Sequence, residues 1–275
     1  WRWRDQCSGR DGGSDGGADA DSITTGTGTV TSVTHTFVSN SDGSFGVDAE
    51  TVTYTNIEPI ADNLDATNRI FTFIGSAETI SLTDDGDVGD GQSMIDSTLG
   101  EVVTFNNPSA TLTIGTASGS GIDDIRIEGL DSLFDGDLTI EGDGDDTVTF
   151  QSTGTDVGTG NVTARGSVIS VSSPVTTAGG NIIFESTTDI FLLTQLNSGG
   201  GNIIFNADTD QAVTPGGSVV IDNSPTVMSG GGDIIIGGGA DPSVTPAIAQ
   251  AAGVMVGVDV RNAVLVRVPA LESDR

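Results

Sequence analysis

Three stretches of this chain place carboxylates at spacings that can gather around a metal ion. Gly142-Asp143-Gly144-Asp145-Asp146-Thr147-Val148 fits the calcium nonapeptide GGxGxDxUx with Glu141 in place of the first glycine. Ser118-Gly119-Ser120-Gly121-Ile122-Asp123-Asp124-Ile125 fits it with a serine in that place. Asp85-Gly86-Asp87-Val88-Gly89-Asp90-Gly91 begins like an EF-hand loop, but Asp90 stands where the turn glycine belongs and Asp96 where the closing Glu belongs. Ca²⁺ takes about six to eight oxygens, and Asp-Gly turns offer carboxylate and carbonyl oxygens together. The candidate ligands are therefore Asp123, Asp146, Asp143, Asp145, Asp85 and Asp87, with Ca²⁺ as the expected ion. Nonapeptide sites form between turns about 18 residues apart, whereas Asp123 and Asp146 are 23 apart. The alternative for all six is that they are turn-formers on a solvated acidic surface.

Other chemistry has less to work with. Nucleophilic catalysis needs a nucleophile with a base in reach, and the chain holds one imidazole, His35 in Thr34-His35-Thr36. A lone histidine on a strand is expected to be a surface or capping residue. Carboxylate pairs suited to glycoside hydrolysis carry no information among 39 acids, because that many acids form such pairs by accident. Solenoid-fold polysaccharide enzymes are the enzymatic alternative. A lyase of that kind needs a basic residue, and the body of the chain supplies only Arg69, Arg126 and Arg165; the Gly-His-Gly and Arg-Ile-Lys of pectin hydrolases are absent. The chain is expected not to be an enzyme.

Short strands must position these acids. Apolar–Thr–apolar triplets recur at 52–54, 71–73, 112–114, 138–140 and 148–150, and 80–82 and 125–127 share the period with Ser and Arg at the centre. Such alternation puts the apolar pair on one face, as a half-buried strand requires. Asp, Gly, Asn and Pro flank the triplets and stop each strand after about five residues. Only 61–68 and 247–252 read as a helical turn or two.

From about residue 155 the pattern becomes a repeat. Gly179-Gly180-Asn181-Ile182-Ile183-Phe184 recurs 21 residues later as Gly200-Gly201-Asn202-Ile203-Ile204-Phe205 and, after a longer interval, as Gly231-Gly232-Asp233-Ile234-Ile235-Ile236. Gly160-Asn161-Val162 stands one near-period earlier, and second apolar runs lie between the copies. Two strands per unit of about 20 residues, with Gly-Gly-Asn corners, point to coils that stack. In such a stack Asn181, Asn202 and Asp233 lie above one another, Ile182 pairs in parallel with Ile203, and residues 207–215 form an inserted surface loop. An antiparallel β-sandwich is the alternative.

The ends differ from this body. Residues 1–22 read as a disordered acidic linker or truncation remnant, 23–150 as an irregular β-repeat region with Asp-Gly turns, 151–260 as regular repeats, and 261–275 as a frayed tail. The chain does not begin with Met and reads as a fragment of a longer protein. Nine Arg, no Lys and 39 acids give a net charge of −30, which excludes nucleic-acid and anionic-membrane surfaces. No run approaches the roughly 18 apolar residues of a membrane helix, so no membrane insertion is expected in this segment. The single Cys7 excludes an internal disulfide framework.

The run GGNIIF…LNSGGGNIIFNADTD…SGGGDIIIGGGADP resembles the β-helix repeats of filamentous-haemagglutinin-like, giant multi-repeat bacterial surface proteins, and TVTYTNIEPI, FTFIGSAETISLTDDG and GLDSLFDGDLTIEGDGDDTVTF resemble the repeat unit that precedes such runs. The resemblance spans about residues 30–260. It implies an all-β, right-handed parallel β-helix, exported to the bacterial cell surface or the extracellular space. Its partner would be an extracellular glycan or protein receptor, and its work structural or adhesive. A calcium-stabilised, polysaccharide-binding or polysaccharide-degrading β-helix is the alternative.

Overall fold

The computed structural model describes residues 21–116, 119–210, 217–221, 226–243, 259–261 and 265–267. Most of the expected linker, the expected helical turn at 247–252 and most of the tail lie outside the described residues.

The described chain is all β. Its first part holds β1 (Asp21–Thr24), β2 (Gly28–Phe37), β3 (Gly43–Val47), β4 (Glu50–Tyr54) and β5 (Ile57–Asp62). It continues with β6 (Leu64–Phe73), β7 (Thr79–Asp84), β8 (Gln92–Ser97) and β9 (Gly100–Asn106). Shorter strands follow: β10 (Thr111–Gly115), β11 (Asp124–Ile127), β12 (Asp137–Glu141), β13 (Thr147–Phe150), β14 (Thr155–Asp156) and β15 (Val162–Gly166). Next come β16 (Val168–Val171), β17 (Val175–Thr176), β18 (Ile182–Ser186), β19 (Ile190–Leu192), β20 (Leu196–Asn197) and β21 (Ile203–Ala207). The last are β22 (Val219–Ile221), β23 (Thr226–Met228), β24 (Asp233–Gly238), β25 (Asp259–Arg261) and β26 (Leu265–Arg267).

Three sheets collect them. Sheet A runs β1-β5-β9-β8-β7-β11-β13-β16-β19-β22, sheet B runs β26-β24-β21-β18-β15-β12-β10-β6-β2-β3-β4, and sheet C runs β14-β17-β20-β23-β25. From β12 to β24 the chain visits B, A and C in turn and comes back to B four times. All neighbours from β10 onward pair in parallel; antiparallel pairing is confined to β2-β3-β4 and β7-β8-β9. An antiparallel sandwich does not describe these sheets.

The pairing register follows the repeat. Ile182 lies opposite Ile203, and Ile203 opposite Ile234. Their column continues through Val162, Leu138 and Leu112, all buried. A second inward column in sheet B runs Ile114, Ile140, Ala164, Phe184, Phe205. Sheet A faces them with Ile125, Val148, Ile169, Ile190 and, two residues along, Ile127, Phe150, Val171, Leu192. Burying such columns removes apolar area that no single strand could hide alone.

The Gly-Gly-Asn corner divides its work. Gly179, Gly200 and Gly231 have φ of 121°, 136° and 135°, which side chains rarely tolerate. Gly180, Gly201 and Gly232 serve differently: a Cβ on each would overlap the carbonyl oxygen of Gly160, Gly180 and Gly201, one strand back. The next residues form a ladder. Asn181 N donates to Asn161 Oδ1, Asn202 N to Asn181 Oδ1 and Asp233 N to Asn202 Oδ1, each at 2.8 Å.

Two expectations need correction. Residues 61–68 are not helical: they span the end of β5 and the start of β6, which is hydrogen-bonded on both sides by β2 and β10. Pairing on two edges outweighs a weak helical propensity. The inserted segment does not begin as a surface loop either, because Ala207 completes β21 and Asp208 is buried.

Candidate functional site

The two nonapeptide-like stretches come together. Asp124 pairs with Thr147, so Asp123 and Asp146 immediately precede neighbouring strands, at the corner where the chain enters sheet A. Twenty-three residues is the length of one circuit here, which accounts for a spacing unlike that of tandem nonapeptides. Glu78 precedes the same column in β7. Asp146 is fully buried and takes three protein donors: Asp123 N on Oδ1 (2.8 Å), and Asp143 N (2.8 Å) and the Thr116 hydroxyl on Oδ2. Asp123 Oδ1 accepts Glu78 N (2.9 Å). Each carboxylate thus caps the N–H of the residue that leads into the neighbouring strand, as a buried N–H requires.

These acids repel. Burial pushes the Asp123 carboxyl above its ordinary range, and the charges of Asp146, Asp143 and Asp145 add to the effect against the hydrogen bond from Glu78. Burial raises Glu78 likewise, although the Ser97 hydroxyl bonds its Oε2 at 2.5 Å. Asp143 is raised first by its side-chain bond with Asp145 and then by burial. Asp143, Asp145 and Asp146 each bring an oxygen within 4.8 Å of the others, the one such group of candidate ligands among the described residues. Asp123, Asp85 and Asp87 are not part of it.

The EF-hand-like stretch is a hairpin turn between β7 and β8. Gly86 N bonds Asp84 Oδ1 (2.7 Å) and Asp87 N bonds Asp85 Oδ1 (3.1 Å). The residue that organises this turn is Asp131, which the sequence reading missed. It is buried, and its carboxylate accepts Gly89 N (2.5 Å), Gly91 N (3.1 Å), Leu133 N (2.9 Å) and the Asn107 amide (3.2 Å). Its position after Gly129-Leu130 gave no motif; only the fold brings it under the hairpin.

An open groove of about 360 Å³ runs beside the acidic corner, lined by Asp143, Arg165, Glu185, Thr187, Asn206 and Thr209 among others. Arg165 bridges two strands, with Nη1 on Glu141 Oε1 (2.5 Å) and Nε on Glu185 Oε2 (2.6 Å). Burial opposes its charge, but the two carboxylates prevail and raise its pKa. The groove holds acceptors, hydroxyls and an engaged guanidinium. The imidazole of the chain is elsewhere, so nothing in the groove pairs a nucleophile with a histidine base.

His35 corrects the sequence reading most sharply. It is neither on the surface nor a cap: it is fully buried, opposite Phe71 in β6 and Phe45 in β3. Its ring lies 5.0 Å from Phe71 and 4.7 Å from Phe45. Its Nε2 lies 3.0 Å from Asp62 Oδ2, the oxygen that also accepts Arg69 Nη1. Arg69, fully buried, occupies the inward column of Leu112 and Leu138 and donates Nη2 to Leu64 O (2.8 Å). Asp62 Oδ1 accepts Leu64 N (3.1 Å) and the Thr25 hydroxyl (3.3 Å). The period-2 parity shared with Val33 and Phe37, and with Phe71 and Phe73, was the available clue that His35 and Arg69 point inward.

No family model, curated protein or solved structure matches this chain. No helix among the described residues is long and apolar enough to cross a membrane.

Proposed function

We propose that this chain is a non-catalytic segment of an extracellular, structural or adhesive bacterial surface protein, folded as a right-handed parallel β-helix. The observation that carries the reading is the corner column: the second glycines each need the backbone one circuit earlier, and the Asn ladder bonds from strand to strand. Such a corner favours stacking of one copy on the next, and its repetition suits a rod that displays surface. The resemblance to filamentous-haemagglutinin-like repeats supports the same reading, with a glycan or protein receptor as partner. Small-angle scattering of the purified chain is expected to give a rod-like cross-section. Incubation with a panel of acidic and neutral polysaccharides is expected to release no reducing ends and no unsaturated uronates. A globular scattering profile, or turnover of any polysaccharide, would overturn the reading.

A second reading keeps calcium. Asp143, Asp145 and Asp146 offer three carboxylates within 4.8 Å of one another, beside backbone carbonyls of an Asp-Gly turn. Calorimetric titration with CaCl₂ tests it: saturable heat that Asp145→Asn abolishes supports the site, and no heat removes it.

A further inference from the structure

In the later circuits the inward columns through Ile182 and Phe184 in sheet B and through Ile169 and Val171 in sheet A are apolar, with the uncharged Ser186 the polar side chain that β18 buries beside them. The N-terminal end is different. At this end β1 is the edge of sheet A and β4 that of sheet B, and one to three strands in from these edges a histidine, a carboxylate and a guanidinium occupy core positions. Asp62 comes from β5 in sheet A, His35 and Arg69 from β2 and β6 in sheet B. The cluster therefore ties the two sheets together across the interior.

Its proton inventory is tight. An ionised carboxylate only accepts, and Arg69 already donates to Asp62 Oδ2. His35 Nε2 must therefore carry the ring proton, leaving Nδ1 as a bare acceptor. Nδ1 is buried and has no hydrogen-bond partner. Around the ring stand Phe37, Phe45 and Phe71, and β9 places Phe105 under the Arg69 guanidinium at 5.2 Å. The charged groups facing His35 are Asp62 from β5 and Arg69 from β6; β3 offers only Phe45. Asp65 acts on Arg69, and the Tyr54–Glu101 bond joins β4 to β9. With one anion and one cation the cluster is neutral. One more proton leaves a net positive charge in a buried aromatic cage, with no side-chain or backbone acceptor for the new N–H.

We propose that His35, Asp62 and Arg69 form an acid-sensitive bolt between the two large sheets, and that uptake of one proton at His35 Nδ1 opens the N-terminal end of the stack while later strands stay paired. Burial holds the imidazole below its ordinary range despite the pull of Asp62, and an open end restores solvent to it. The sign follows by linkage. A base whose folded pKa is depressed leaves stability intact above its unfolded value near 6.5 and removes it as pH falls from there toward the folded value.

Hydrogen exchange of the whole chain tests this, compared as protection factors between about pH 7.5 and pH 5. For one linked proton, protection in β2, β5 and β6 is expected to fall about tenfold per pH unit below roughly 6.5, with β18 and β21 unchanged. His35→Phe suits the aromatic cage, retains the Asp62–Arg69 pair and is expected to abolish that fall. Protection in β2 that ignores pH, or falls equally in β18, or falls equally in His35→Phe, overturns the proposal. Should His35→Phe not fold, the unmodified chain decides. It has one histidine, and its ¹⁵N imidazole spectrum is expected to show a neutral ring protonated at Nε2 until the end opens. A ring that titrates near pH 6.5 with β2 still protected overturns the bolt.

Discussion

A methyl group on Gly180 would overlap the carbonyl of Gly160, whereas one on Gly179 would meet nothing, although Gly179 sits at φ 121°. The two glycines should therefore fail differently. Gly180→Ala is expected to cost about 3 kcal/mol or more, because two backbones must part; Gly179→Ala is expected to cost about 1–2 kcal/mol of local strain. Urea midpoints at unchanged m separate them, and equal small losses would show that close stacking is not required. At the acidic corner the charge of Asp123 is costly. Burial and three neighbouring carboxylates hold its pKa up, so its ionised form destabilises the fold at neutral pH, and that penalty lifts as pH falls through the raised value. Asp123→Asn retains an oxygen for Glu78 N. It is expected to raise the urea midpoint at pH 7, with the gain fading as pH falls through the raised value and the native carboxyl takes up its proton. A midpoint that does not rise would mean the corner already balances its charges.

Between residue and molecule, strands and turns supply one another's missing partners. The β7–β8 hairpin is held by Asp131, which lies between β11 and β12 and satisfies two of the hairpin's N–H groups. Asp131→Ala is expected to cost about 1–3 kcal/mol, since those donors lose a buried acceptor. It should also make the turn at 84–91 the first site cut in limited proteolysis. Unchanged cleavage there would show that the hairpin holds itself. Arg165 plays a lesser part. Its two surface ion pairs span three strands, but exposed pairs contribute about 0–1 kcal/mol, so Arg165→Gln is expected to leave the midpoint within that range.

Across the whole molecule, 39 acids against nine arginines leave a charge of −30. Self-repulsion spread along acidic turns is screened within about 8 Å at physiological salt, so NaCl is expected to raise the melting midpoint modestly. A specific calcium ion would add about 3 kcal/mol at a hundredfold excess over its dissociation constant. CaCl₂ and MgCl₂ at equal ionic strength separate screening from binding. An excess with calcium that Asp145→Asn removes is expected if the Asp143–Asp146 turn holds the ion. Equal shifts would leave those aspartates as backbone acceptors and turn-formers.

Local period alone determined much of this protein. Apolar–Thr–apolar triplets place their flanking residues on one face whatever the fold, so the β content and many buried columns were legible, as at Leu112–Ile114 and Val148–Phe150. Repeating Gly-Gly-Asn corners also set which strands lie in register, because a glycine column and an amide ladder align only when the copies stack. The tertiary structure alone decided the polar interior. Parity puts His35 and Arg69 on the face of their apolar neighbours, but their polarity argues for solvent, and the carboxylate that resolves the conflict belongs to another sheet. The same holds for Asp131, Asp123 and Asp146, which accept backbone amides far away in the chain, at Gly89, Glu78 and Asp123. A carboxylate is bound for solvent unless donors wait inside, and where those donors wait depends on how long each circuit of the chain happens to be.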